Sequence, residues 1–135
     1  MKTFTLAIAI LSTSVAASAA DLQLTDAQIN PAFAKADSDK NGTVSLVEAG
    51  KFGISTAAFL KTNPDKDGSL DKKEFAAAII AQFVSKNPDN DDTLDPKEAK
   101  KAGVKSEKAF EAANPDKDGT LDLAEYLTAL TNQAR

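Results

Sequence analysis

The 135-residue sequence has no cysteine, no histidine and no tryptophan, and its one methionine is Met1. Without cysteine there are no disulfides and no thiolate ligands. Without histidine there is no imidazole ligand and no Ser-His or Cys-His pair for nucleophilic chemistry. Zinc, copper and haem sites, which draw on those two side chains, are therefore not expected. Whatever the chain binds, it has to bind through oxygen. No free constellation of nucleophile, acid and base is present, so an enzyme is not expected.

What the N-terminus has is one charge and a short apolar run. Residues 1–20 read MKTFTLAIAILSTSVAASAA: Lys2, an apolar stretch from Phe4 to Leu11, then small residues ending in Ala17-Ser18-Ala19 or Ser18-Ala19-Ala20. That is the layout of a secretory signal peptide, and the stretch falls short of the ~20 apolar residues needed to cross a bilayer. The expectation is a cleaved leader (1–20) and a single domain over 21–135, periplasmic or secreted, with no membrane association after cleavage. The formal net charge is −4, and loss of Lys2 takes it to −5. A surface of that sign does not suit nucleic acid.

The acids are gathered rather than scattered. Four segments align: DSDKNGTVSLVE (37–48), NPDKDGSLDKKE (63–74), NPDNDDTLDPKE (87–98) and NPDKDGTLDLAE (114–125). They hold sixteen of the twenty Asp and Glu residues; only Asp21, Asp26, Glu107 and Glu111 lie outside. A merely solvated acidic face would not repeat its charges at fixed loop positions. An apolar repeat runs beside the acidic one. Phe33, Phe59, Phe83 and Phe110 each precede a loop by four residues, and Val44, Leu70, Leu94 and Leu121 each hold loop position 8.

This pattern resembles the EF-hand, whose twelve-residue loop offers oxygens at positions 1, 3, 5, 7 and 9, Gly at 6 and a bidentate Glu at 12. A hard cation takes six to eight oxygens at ~2.3–2.6 Å, and the loop surrounds it only by turning sharply at position 6. The expected metal ligands are therefore Asp37, Asp39, Asn41, Thr43, Ser45 and Glu48 in loop 1, and Asn63, Asp65, Asp67, Ser69, Asp71 and Glu74 in loop 2. Loop 3 offers Asn87, Asp89, Asp91, Thr93, Asp95 and Glu98, and loop 4 offers Asn114, Asp116, Asp118, Thr120, Asp122 and Glu125. Position 7 ligates through its backbone carbonyl. Up to four Ca2+ or lanthanide ions are expected, with loop 3 the weakest. It carries Asp92 where the others carry Gly42, Gly68 and Gly119, and so must place a side chain at φ > 0.

The connectors, 49–62, 75–86 and 99–113, are short. Residues 75–86 contain no Gly or Pro and read as one helix of ~18 Å shared by loops 2 and 3. Gly50 and Gly53 in the first connector, and Gly103 in the third, predict two short helices with a break, with Ser55 and Ser106 as N-caps. Thr25 and Gln28 match a capping box opening a helix that runs to about Ala36. The predicted fold is all-α, a compact helical bundle with four closely spaced loops and short β-bridges between paired loops. Two pairings stay open: 1 with 2 and 3 with 4, or 1 with 4 and 2 with 3.

Close loop spacing, Pro64, Pro88 and Pro115 at loop position 2, Asp at position 9 and an export signal together resemble lanmodulin, over roughly residues 30–130. That family comprises small periplasmic proteins that bind lanthanide ions selectively and fold as a helical bundle with peripheral EF-hands. The resemblance implies the same ligand class here. Loop 1 departs from it, with Ser38 at position 2 and Ser45 at position 9, and looks like an ordinary calcium loop. Asn at position 1 of the other loops removes an anionic ligand and favours Ca2+, while Asp at position 9 favours a trivalent ion. The functions in view are a Ca2+-type buffer or carrier with metal-coupled folding, a lanthanide-binding protein, and a sensor showing an apolar face to a protein partner. A Met-rich sensor groove has no residues to form it, because Met1 leaves with the leader. Lys72, Lys73, Lys100 and Lys101 read as solvated helix faces.

Overall fold

The computed structural model describes residues 22–63, 66–88 and 91–133. The expected leader lies outside them, as do Pro64, Asp65, Asp89 and Asn90. Seven helices and one two-stranded ribbon follow in the order α1 (Asp26–Ala36), β1 (Val44–Ser45), α2 (Leu46–Phe52), α3 (Thr56–Lys61), β2 (Ser69–Leu70), α4 (Lys72–Ser85), α5 (Pro96–Lys101), α6 (Glu107–Ala112) and α7 (Leu123–Gln133). The fold is all-α and EF-hand-like. No described helix is long and apolar enough to cross a membrane.

Local chemistry sets the helix ends. Thr25 and Gln28 form the capping box of α1: the Thr25 Oγ1 accepts from the Gln28 N–H, and Gln28 Oε1 accepts from the Thr25 N–H at 2.8 Å. Ser55 and Ser106 cap α3 and α6. Gly53 ends α2 in the left-handed region at φ +119°, as a C-cap glycine does. The third connector breaks at Gly103, φ +103°. Residues 75–86 fall in a single helix, α4, with Lys86 as its C-cap.

Position 8 settles the pairing. Val44 pairs with Leu70 in an antiparallel ribbon, and an isolated antiparallel bridge joins Leu94 to Leu121. Loops 1 and 2 form one pair, loops 3 and 4 the other. All four side chains are fully buried. Aromatic rings meet in both halves, and two of the recurring phenylalanines, Phe33 and Phe83, take part. Phe33 and Phe52 each set an edge against Phe75, with centroids 5.5 and 5.2 Å apart, and Phe83 tilts against Tyr126 at 5.6 Å. Phe59, Phe83 and Phe110 are buried, whereas Phe33 is half-buried. Helix α1 closes the bundle by packing on α7 and α4.

At the centre the two connector breaks lie back to back. A Cβ on Gly103 would stand 2.5 Å from the Gly53 carbonyl oxygen, and one on Gly53 would stand 2.9 Å from Leu130 Cδ2. Gly42, also at positive φ, has open space around it. Gly103→Ala therefore adds a backbone clash to the left-handed strain and should cost about 3 kcal/mol, against about 1 kcal/mol for Gly42→Ala. Urea unfolding of the two variants checks the difference; equal costs would mean that the breaks do not touch.

Candidate metal centres

The described parts of the loops share the same turns. Position 4 takes φ > 0 at Lys40 (59°), Lys66 (54°) and Lys117 (56°), and position 6 does so at Gly42, Gly68, Asp92 (71°) and Gly119. The Asp92 conformation is the one its place in the loop demands, and it sets a second carboxylate beside Asp91. The left-handed lysines at position 4 had no signal in the sequence, since it is glycine, asparagine and aspartate that favour that conformation. Positions 5 and 7 close a small Asx turn: Asn41, Asp67, Asp91 and Asp118 accept the N–H of Thr43, Ser69, Thr93 and Thr120 at 2.9–3.1 Å.

Positions 9 and 12 form a reciprocal capping box in every loop. Ser45, Asp71, Asp95 and Asp122 accept the N–H of Glu48, Glu74, Glu98 and Glu125, and each glutamate returns an oxygen to the position-9 N–H at 2.9–3.0 Å. The cap occupies Oδ1 of each aspartate and does not call on Oδ2; Ser45 has one oxygen for both tasks. Position-1 side chains form the floor. Asp37, Asn63, Asn87 and Asn114 are all buried, and so are Glu48 and Glu98, whereas Glu74 and Glu125 are half-buried.

Among the described residues, the acids of loop 1 converge. Asp37, Asp39 and Glu48 each place a carboxylate oxygen within 4.8 Å of the others. Asp37 accepts from the N–H groups of Asn41 (3.1 Å) and Gly42 (2.9 Å), which aims both of its oxygens into the loop. Glu48 accepts from the Ser45 N–H, the Asp39 N–H (3.2 Å) and the Ser38 hydroxyl (3.0 Å). Those bonds, the Ser45 N–H first, outweigh burial and hold its carboxyl at about 2. Asp39 is shifted the other way: lost solvation raises it, as do Asp37 and Glu48, against one Asn41 N–H. In loop 4, burial raises Glu125, aided by the charges of Asp122, Asp116 and Asp118. Raised carboxyls of this kind mark repulsion that a bound cation would relieve.

The donor set fits a hard cation: carboxylate and amide oxygens on tight turns, closed by a glutamate fixed in the first turn of a helix. Loop 1 holds all six expected ligand residues within the described chain. Loop 4 does so as well, with Asn114 in place of an acid at position 1. Loops 2 and 3 share the framework, although Asp65 and Asp89 lie outside the described residues.

The residues that sequence reasoning missed lie behind the loops. Gln82 is buried on α4; its Oε1 accepts the Ser55 N–H and its Nε2 donates to the Gly53 carbonyl, both at 2.6 Å. Gln133 repeats this in the second half, accepting the Lys105 N–H at 2.8 Å and donating to the Gly103 carbonyl. Each glutamine follows the closing glutamate of its pair, Glu74 or Glu125, by eight residues, and that shared spacing was the available signal.

No family model matches the chain, and no curated protein matches it. Among solved structures, a homolog of programmed cell death 6 protein from Leishmania major Friedlin aligns over 76% of each chain, at 17% identity and a TM-score of 0.35. So loose a likeness carries no argument, and the loops themselves carry the reading that follows.

The opposite shifts of Glu48 and Glu125 have a measurable sign. Glu48 titrates lower in the folded chain than in the unfolded one. Its contribution to stability is therefore complete above the ordinary glutamate range and disappears as pH falls from there towards about 2. Glu125 is raised, so it takes up a proton more readily when folded and opposes folding once ionised. Carboxyl titration by NMR without added metal should show Glu125 protonating at higher pH than Glu48. The reverse order would contradict the hydrogen bonding described.

Proposed function

We propose that this chain is an exported EF-hand protein that binds calcium-type hard cations in its four loops, as a buffer or carrier, with binding coupled to folding. The convergence of Asp37, Asp39 and Glu48 on one oxygen-lined turn carries the reading. The recurrence of the same turns and capping boxes in the other loops extends it to all four. In loop 1, Asp37, Asp39, Asn41, Ser45 and Glu48 hold the ion with the carbonyl of Thr43, and the equivalent residues do so in the other loops. Cation binding offsets the repulsion among the gathered carboxylates, so its free energy becomes folding free energy. Export rests on residues 1–20 of the sequence.

A lanthanide as the natural ligand is the second reading. It is favoured by Asp71, Asp95 and Asp122, each of which caps its helix through one oxygen and has a second to offer. An extra anionic oxygen favours a trivalent ion more than a divalent one. Competitive calorimetry of Ca2+ against La3+ on the mature protein separates the two readings, and failure to bind either ion refutes both. Helical circular dichroism should rise on adding either ion.

Loop 3 should fill last. Asp92→Gly relieves about 1 kcal/mol of backbone strain, on the order of fivefold in affinity, and should tighten that loop most. Residue-resolved NMR titration reads the filling order; loop 3 filling first would overturn it.

A further inference from the structure

Apart from residues at loop positions 1 and 12 and the Tyr126 hydroxyl, Gln82 is the one buried polar side chain among the described residues. Its carboxamide sits where the two halves of the molecule meet. The Oε1 and one N–H hold the first connector, through the Ser55 N–H and the Gly53 carbonyl. The second N–H reaches across to the Ala102 carbonyl at 2.6 Å, at the break of the third connector. An amide nitrogen has two hydrogens, and three acceptors share them: these two carbonyls and the Tyr126 hydroxyl oxygen. The Tyr126 hydroxyl, 2.8 Å from the same nitrogen, donates its own hydrogen to Ala102 O. Tyr126 directly follows Glu125, the closing residue of loop 4.

Gln133 makes the matching clamp within the second half but has no bond to the first. The difference is specific: one glutamine fastens a single pair of loops, the other fastens both. Each connector break joins the exit helix of one loop to the entry helix of the next, so a change in helix angle on filling either pair passes through Gly53 or Gly103. These two glycines are in contact. A buried amide has no water to exchange with, so neither break can move without losing a bond or carrying the other with it.

We infer that Gln82 is a positioning residue coupling the loop 1–loop 2 pair to the loop 3–loop 4 pair, so that filling one raises the cation affinity of the other. This rests on the reading of the loops as cation sites. By linkage the effect is reciprocal. The test is a cycle read by calorimetry with Ca2+. Closing the first pair with Glu48→Gln and Glu74→Gln should weaken Ca2+ binding by the second about tenfold when Gln82 is present. In a Gln82→Met background, which keeps side-chain volume but has no amide, the ratio should fall below about twofold. Gln133→Ala should leave the tenfold ratio in place.

A second readout requires no affinity. With the second pair closed by Glu98→Gln and Glu125→Gln, Ca2+ filling of the first pair should slow amide exchange at Lys105, and Gln82→Met should abolish that slowing. An equal ratio with and without the Gln82 amide overturns the coupling, as does an unchanged Lys105 response. Ca2+ uptake by independent pairs in the unmutated protein overturns the coupling alone. No uptake of any cation overturns the metal reading with it.

Discussion

Four loops separated by connectors of 14, 12 and 15 residues leave no space for a full exit helix, a turn and a full entry helix between each. The chain meets this constraint in two ways. Between loops 2 and 3 it uses one helix for both purposes. Between the members of each pair it breaks abruptly at a glycine and packs one break against the other. That contact tolerates no side chain, and it leaves backbone groups of Gly53, Ser55, Ala102, Gly103 and Lys105 in need of partners. Two glutamines supply them, and the interior of the bundle is organised around these bonds as much as around its aromatic contacts.

The loops follow from the opposite requirement. Carboxylates repel, so a chain that gathers them has to spend hydrogen-bond donors holding them in place. Backbone N–H groups at positions 5 to 7, 9 and 12 do so, and the capping boxes tie the same carboxylates to helix starts. Glu48 is held firmly enough to stay ionised in acid, while lost solvation, aided by neighbouring acids, raises Asp39 and Glu125. The carboxylates are therefore held unequally, although all four loops share one pattern of turns and caps.

Features governed by neighbours in the chain were legible in the sequence: the Thr25 and Gln28 box, the Ser55 and Ser106 caps, the unbroken α4, and the left-handed Asp92. The choice between the two loop pairings was not, because Val44, Leu70, Leu94 and Leu121 are equally suited to bridge in either arrangement. Lys40, Lys66 and Lys117 were unreadable as turn residues because lysine has no preference for positive φ. Gln82 looked like any polar residue in a helix-forming run, and Tyr126 like a neighbour of Glu125. Their meaning depends on backbone groups twenty or more residues away. The resemblance to lanmodulin rests on loop spacing, an export signal, and prolines and aspartates at loop positions 2 and 9; in the structure Pro88 and Pro115 lie in turns and the position-9 aspartates are helix caps.

Helix α4 has fourteen residues, a strut of about 21 Å with loop 2 at one end and loop 3 at the other. That length exceeds the reach of unscreened electrostatics in physiological salt, about 8 Å. Two ions seated at its ends would scarcely feel each other's charge through solvent. Any signal between them would have to travel as displacement along the rod, which Gln82 fastens near its loop 3 end. With ions in both loops, the same rod would set how far apart they sit, on a scale of about two nanometres.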